Sequence, residues 1–170
     1  MIKTFSFLSR FHVFVVIGCL LISLFISIPE ASAKRPPEIR NQDDLNISDD
    51  MHGQDLSGYE FVKFDLNGIN FSESNLSGAV LNNSQINGAN LRGANLPDAL
   101  AYASDFRNSD LSDTNFTNSL LMESNFENVS IDGADFTDAV LSRIQQKQLC
   151  SIARGTNSVT GVSTTYSLGC

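Results

Sequence analysis

The chain has 170 residues, of which 42% are hydrophobic and 18% charged; 11 Lys and Arg stand against 19 Asp and Glu, for a net charge of −8. That length suits one domain, and the acidic balance repels phosphate backbones and acidic lipid, which speaks against a nucleic-acid reader. With His12 and His52 the only histidines, and Cys19, Cys150 and Cys170 the only cysteines, little material exists for nucleophilic or metal chemistry.

Lys3 and Arg10 precede an apolar run from Val13 to Ile28, then Pro29, then Ala31-Ser32-Ala33 ahead of Lys34. This is the order of a secretory signal peptide cleaved after Ala33, so residues 1–33 are expected to leave. The run is shorter than the roughly 20 residues that span a bilayer. An uncleaved anchor is one alternative. A lipoprotein is another, since Val16-Ile17-Gly18-Cys19 has lipobox chemistry, although the apolar run continues past that cysteine to Ile28. Cleavage removes Lys3, Arg10 and Glu30, leaving 9 basic and 18 acidic residues, a net charge of −9. Such a chain is expected to be exported, free of the membrane after cleavage, and left with His52 alone. Residues 34–50 read as a polar lead-in or cap, with Pro36-Pro37, two Asp pairs, and Leu45 and Ile47 available to cover the open end of the segment that begins at Met51.

From Met51 to Leu141 an apolar residue returns at every fifth position: Met51, Leu56, Phe61, Leu66, Phe71 and onward without a polar exception. A small residue sits two before it (Ala89, Ala94, Ser104, Ser109) and Asp or Asn one before it (Asp55, Asn75, Asn95, Asp105). Gly often sits two after it (Gly58, Gly88, Gly93). Neither a helical period of 3.6 nor a strand period of 2 gives this. A stacked repeat does.

The units ANLRG, ANLPD, SNLSG, SDLSD, TNFTN, SNFEN and ADFTD resemble the A(D/N)LXX consensus of the pentapeptide-repeat family. The resemblance implies an all-β solenoid: a right-handed quadrilateral β-helix with four pentapeptides per coil and the Leu/Phe and small residues inside. Residues 51–141 would make about four and a half coils at the strand spacing of about 4.8 Å.

Taken four units at a time, residues 20 apart share a face. Three faces carry polar residues before the large one, as in Asp55, Asn75, Asn95, Asn115 and Asp135. On the fourth, Glu60 is followed by Val80, Leu100, Leu120 and Val140, with Val62, Tyr102 and Met122 just past the large residue. Val80, Leu100, Tyr102, Leu120, Met122 and Val140 therefore form a candidate docking stripe for another protein or a second copy. The alternatives are that the chain's own arm or tail covers it, or that the cross-section distorts at Ala101 and these residues turn inward.

Beyond Leu141 the five-residue phase stops. Residues 142–170 read as a helical cap and tail: Ser142 and Gln145 have capping-box spacing, Leu141, Ile144, Leu149 and Ile152 fall broadly on one face, and Gly155 is a stop. With Cys19 lost, Cys150 and Cys170 remain, as a disulfide in an oxidising compartment or as two separate thiols. The closing QLCSIARGTNSVTGVSTTYSLGC resembles the end of pentapeptide-repeat proteins of the cyanobacterial and chloroplast thylakoid lumen, Ser158 standing where proline is expected. That resemblance implies a lumenal protein whose cap is tied by the Cys150–Cys170 disulfide.

No catalytic set, cofactor motif or metal site is expected. The nonapeptide calcium repeat is missing, and the acidic residues fall in regular outward rows rather than a cleft. The expected function is a non-catalytic, exported structural or protein-binding module of the thylakoid lumen or periplasm. The alternative is an acidic nucleic-acid mimic, like the pentapeptide-repeat proteins that act on DNA gyrase; a leader disfavours it, because gyrase is cytoplasmic.

Overall fold

The computed structural model describes residues 49–170, which lie within one compact unit. The expected leader at 1–33 and the lead-in up to residue 48 lie outside the described residues.

Each unit follows the same course. In most units the carbonyl of the large residue accepts the N–H of the residue three further on, as in Ala94 N–H to Leu91 O at 2.9 Å and Ser119 N–H to Phe116 O at 3.1 Å; the Phe64 and Ser104 N–H groups go instead to Ser84 Oγ at 3.0 Å and Ser124 Oγ at 2.9 Å. The turn so formed puts the position two after the large residue at positive φ in every unit from Gly53 to Asp138. Glycine and asparagine enter that left-handed region cheaply, which is why they gather there. A residue such as Ala103, at φ 53°, bears a local cost of roughly 1 kcal/mol.

Four such corners close one coil, and the coils stack as parallel ladders whose rungs are 20 residues apart: Asp50–Asn70–Asn90–Asp110–Ser130, Asp55 to Asp135, Glu60 to Val140 and Asp65 to Asn125. Each face contributes a single bridged residue per coil, so the strands are short extended pieces between corners. Between coils the backbone pairs in both directions, with Leu91 N–H to Asp110 O at 2.8 Å and Asn90 N–H to Ile69 O at 2.9 Å. Most backbone groups of an interior coil are thereby paired without water, the exception being the N–H that follows each large residue.

Inside, Leu and Phe side chains stack coil on coil. Phe106 lies on Phe126 with ring centroids 5.4 Å apart, and Phe116 on Phe136 at 5.3 Å. The small position must clear these rings, and where it is Ser or Thr the hydroxyl is buried but bonded: Ser109 Oγ donates to Ile86 O at 2.6 Å, and Thr114 Oγ1 to Leu91 O at 2.8 Å. The first coil differs, with Tyr59, Phe64 and Ile69 at the small position and Phe64 edge-on to Phe61 at 5.8 Å.

The cap departs from its expected face. Helix α1 is Arg143–Cys150, with the Ser142/Gln145 capping box present; it is shorter than the stretch to Gly155. Of the expected apolar face only Leu149 is fully buried; Ile144 is 81% and Ile152 43% exposed. The inward neighbour of Leu149 is Gln145, whose Nε2 donates to Ser124 O at 2.8 Å and Leu121 O at 2.9 Å. The terminal coil ends in carbonyls that no further coil can meet, so the position facing them needs a donor more than a methyl group. The cap and tail also accept from the last coil and donate to it. Gly133 N–H reaches Arg154 O at 2.9 Å, Phe136 N–H reaches Ser167 Oγ at 3.0 Å, and Gln148 Nε2 reaches Phe126 O at 3.3 Å. Thr156 pairs antiparallel with Ser163, a second short helix α2 spans Thr164–Ser167, and Leu168 is buried. Cys150 and Cys170 are disulfide-bonded, with Cα atoms 5.6 Å apart.

Candidate docking surface

The residue before each large one faces away from the apolar interior of its coil, and on three faces most of these residues secure their own corner. Asp55, Asp65, Asn75, Asp105, Asn115 and Asp135 each accept the N–H of the residue two further on through Oδ1, at 2.9–3.2 Å. Asparagines add a vertical bond to the coil before: Asn70 Nδ2 to Asp50 Oδ1 at 2.9 Å, Asn75 to Asp55 at 3.0 Å, Asn90 to Asn70 at 3.1 Å, Asn115 to Asn95 at 2.9 Å. These local and vertical bonds explain the Asp/Asn preference without any ligand.

The fourth face gives them up. Val80, Leu100, Leu120 and Val140 occupy the same ladder position, joined rung to rung, and a hydrocarbon side chain cannot cap its corner. Leu100 is 40%, Tyr102 37%, Met122 38%, Val140 45% and Val62 43% exposed, while Val80 and Leu120 are half-buried. Ala101 sits fully buried and Leu100 does not turn inward beside it. Asn82 interrupts the stripe, and its Oδ1 accepts the Tyr102 N–H at 2.8 Å.

Two corner columns rim this face: Gly58, Gly78, Asp98, Asn118 and Asp138 on one side, and Lys63, Asn83, Ala103 and Glu123 on the other. The ion pairs among the described residues lie on other parts of the surface: Arg92–Asp110 and Arg107–Asp105 on polar faces, and Arg154–Asp132 at the cap. Glu123 stands by the Tyr102 hydroxyl. Hydrogen bonding to that carboxylate raises the Tyr102 pKa above its ordinary 10, burial adding less.

Other surfaces offer less chemistry. A groove of about 480 Å³ separates Asn128–Asp132 of the last coil from Ser151–Arg154, and its charged groups, Arg154 and Asp132, pair with each other at 3.1 Å. His52 lies on the surface with Nδ1 2.9 Å from Ser72 Oγ. Among the described residues no group of His, Cys, Asp and Glu is arranged to hold a metal ion, and no helix is long and apolar enough to cross a membrane.

The model of the pentapeptide repeats matches residues 65–100 and 103–143 in 8 copies. The chain belongs to the pentapeptide-repeat family. Among solved structures, a pentapeptide repeat protein of the Arabidopsis thaliana thylakoid lumen is 29% identical, covering 79% of this chain and 97% of its own, with a TM-score of 0.50. A pentapeptide repeat protein from the cyanobacterium Cyanothece 51142 shares the fold at 23% identity and a TM-score of 0.54, over 55% of this chain and 64% of its own. Among curated proteins none matches the sequence. Within this pentapeptide-repeat protein the polar ladders are accounted for by the repeat itself, and the apolar ladder is not.

Proposed function

We propose that this pentapeptide-repeat protein is an exported, non-catalytic docking module whose working surface is the fourth face. The observation that carries this is the run Val80–Leu100–Leu120–Val140, which occupies the one position where every other face gains corner-securing bonds. Each apolar residue there forgoes a bond worth about 1 kcal/mol and leaves hydrocarbon in water, a combination that folding alone does not favour. We assign the coil the right-handed quadrilateral form and the chain a leader cleaved after Ala33. Support for export comes from that leader, from the disulfide, which persists in oxidising compartments, and from the likeness to a thylakoid-lumen protein. Thylakoid lumen and periplasm both fit.

A nucleic-acid mimic has less support. Double-stranded DNA presents a charge about every 1.7 Å along its axis. The ladder from Asp55 to Asp135 carries acids only at its two ends, with three asparagines between.

The test is the pair Leu100→Asn with Leu120→Asn. Asparagine restores the corner bond, so unfolding free energy should stay within about 1 kcal/mol of wild type. Recovery of the partner from the native compartment should fall at least tenfold against the wild-type chain. Equal recovery by a folded double variant would overturn the proposal.

A further inference from the structure

Resting on that reading, we infer that the occupant of the fourth face is a basic-flanked amphipathic helix of another protein, about 13 residues long, rather than a second copy of this chain. Three observations converge on it.

The first is charge. The middle of the stripe, around Leu100, Tyr102, Leu120 and Met122, is rimmed by Asp98 on one side and Glu123 on the other; Glu60 and Lys63 stand at its first rung, and Asp138, with Arg143 at the start of α1, at its last. None of these six is in an ion pair with another described residue. A second copy would bring the same acids against themselves, on a chain whose net charge is −8. A partner with Lys or Arg beside its apolar face would meet them with opposite charge.

The second is size. The exposed parts of these side chains amount to roughly a few hundred Å², well under the roughly 800 Å² per partner of a standard stable interface. A pair of whole rods meeting on this strip would bury too little for a lasting dimer, whereas one helix is matched to it.

The third is shape. The outward residues form two columns, Val80–Leu100–Leu120–Val140 and Val62–Asn82–Tyr102–Met122, two residues apart along the chain and so roughly 6–7 Å apart, with a rung about every 4.8 Å. A helix presents apolar residues at i, i+3, i+4 and i+7, an average advance of about 5 Å. Its ridge can lie between the columns, side chain for rung. From Val62 to Val140 the strip is about 19 Å long, which a helix of about 13 residues spans.

Two synthetic peptides with one apolar face test this, Leu at i, i+3, i+4, i+7 and i+11, one flanked by Lys and one by Glu, titrated by fluorescence anisotropy against the purified chain. The Lys-flanked peptide should bind at least tenfold tighter than the Glu-flanked one, the ratio should shrink as salt rises, and Leu100→Asn with Leu120→Asn should abolish binding. Sedimentation velocity of the chain alone should give one monomeric boundary. Equal binding of the two peptides, binding that survives the double variant, or no binding by either would overturn the helix assignment. A concentration-dependent dimer lost in Leu100→Asn would overturn it in favour of a second copy, leaving the docking role of the face standing.

Discussion

Replacing Gln145 by Leu separates a cap that merely covers the solenoid from one that completes its backbone bonding. In the interior, Asn125 N–H donates to Ser104 O at 2.9 Å; one coil further on, the backbone N–H of residue 145 belongs to α1, and the Gln145 side chain supplies Nε2 to Ser124 O at 2.8 Å instead. The same nitrogen reaches Leu121 O, and Oε1 accepts the Ser142 N–H at 2.8 Å. Leucine has nearly the same bulk and better hydrophobicity, so a cap held by apolar contact would be strengthened by it. An orphaned buried carbonyl costs about 1–3 kcal/mol and each remaining net bond about 1 kcal/mol, so the expected loss is roughly 2–4 kcal/mol after the apolar gain is set against it. With a urea slope of about 1–3 kcal/mol per M, the midpoint should fall by about 1–2 M. Gln148→Leu, which removes one bond of 3.3 Å to Phe126 O, is the control and should cost under about 1 kcal/mol. If Gln145→Leu is no less stable than Gln148→Leu, the hydrogen-bonding account of the cap is wrong.

Leu91→Asp places a charge with no partner inside the stack and should leave no folded protein, while Phe106→Ala, which strips a ring from the Phe106–Phe126 pair, should cost about 3–5 kcal/mol; an unchanged circular-dichroism spectrum and midpoint would refute the inward assignment. The disulfide closes a separation of 20 residues, so the serine pair Cys150→Ser with Cys170→Ser should lose about 3 kcal/mol by urea unfolding, and a loss below about 1 kcal/mol would mean that the tail is held without it. Hydrogen bonding from Arg107, with Nη2 2.6 Å from Oδ2, holds the Asp105 carboxyl below its ordinary 3.8. A depressed folded pKa stabilises the fold above the unfolded pKa, and that contribution disappears as pH falls through the folded pKa. Arg107→Gln should therefore flatten the acid limb of stability against pH, and an NMR titration placing wild-type Asp105 at or above 3.8 would contradict the pairing.

The repeat was legible because its signal is redundant. The inward residues Leu91, Leu96 and Phe106 and the outward ladder from Glu60 to Val140 follow from one period counted four units at a time, and the observed bridges at 20 residues keep that count throughout. The corner conformation was only half legible. Gly58 and Gly88 announce it, but Lys63, Glu73 and Ala103 adopt positive φ as well, because the coil dictates the corner and overrides the residue's own preference. At the cap, apolar patterning pointed to Ile144 and Ile152, and those are exposed. Patterning counts hydrocarbon, whereas the last coil's requirement was for hydrogen-bond partners: Gln145 donates to its open carbonyls and Ser167 Oγ accepts the Phe136 N–H. The rim of the docking face was missed for a similar reason. Glu123 and Asp98 are far apart in sequence and look like ordinary corner residues until the stacking brings them to either side of Leu100 and Leu120.

Photo-crosslinking in the native compartment tests the docking face most directly. A photoreactive residue in place of Tyr102 should give discrete adducts with another protein, and the same residue at Asn67 or Arg107, on a polar face, should give none. Adducts from all three positions alike, or from the polar positions alone, would contradict the assignment of the fourth face as the working surface.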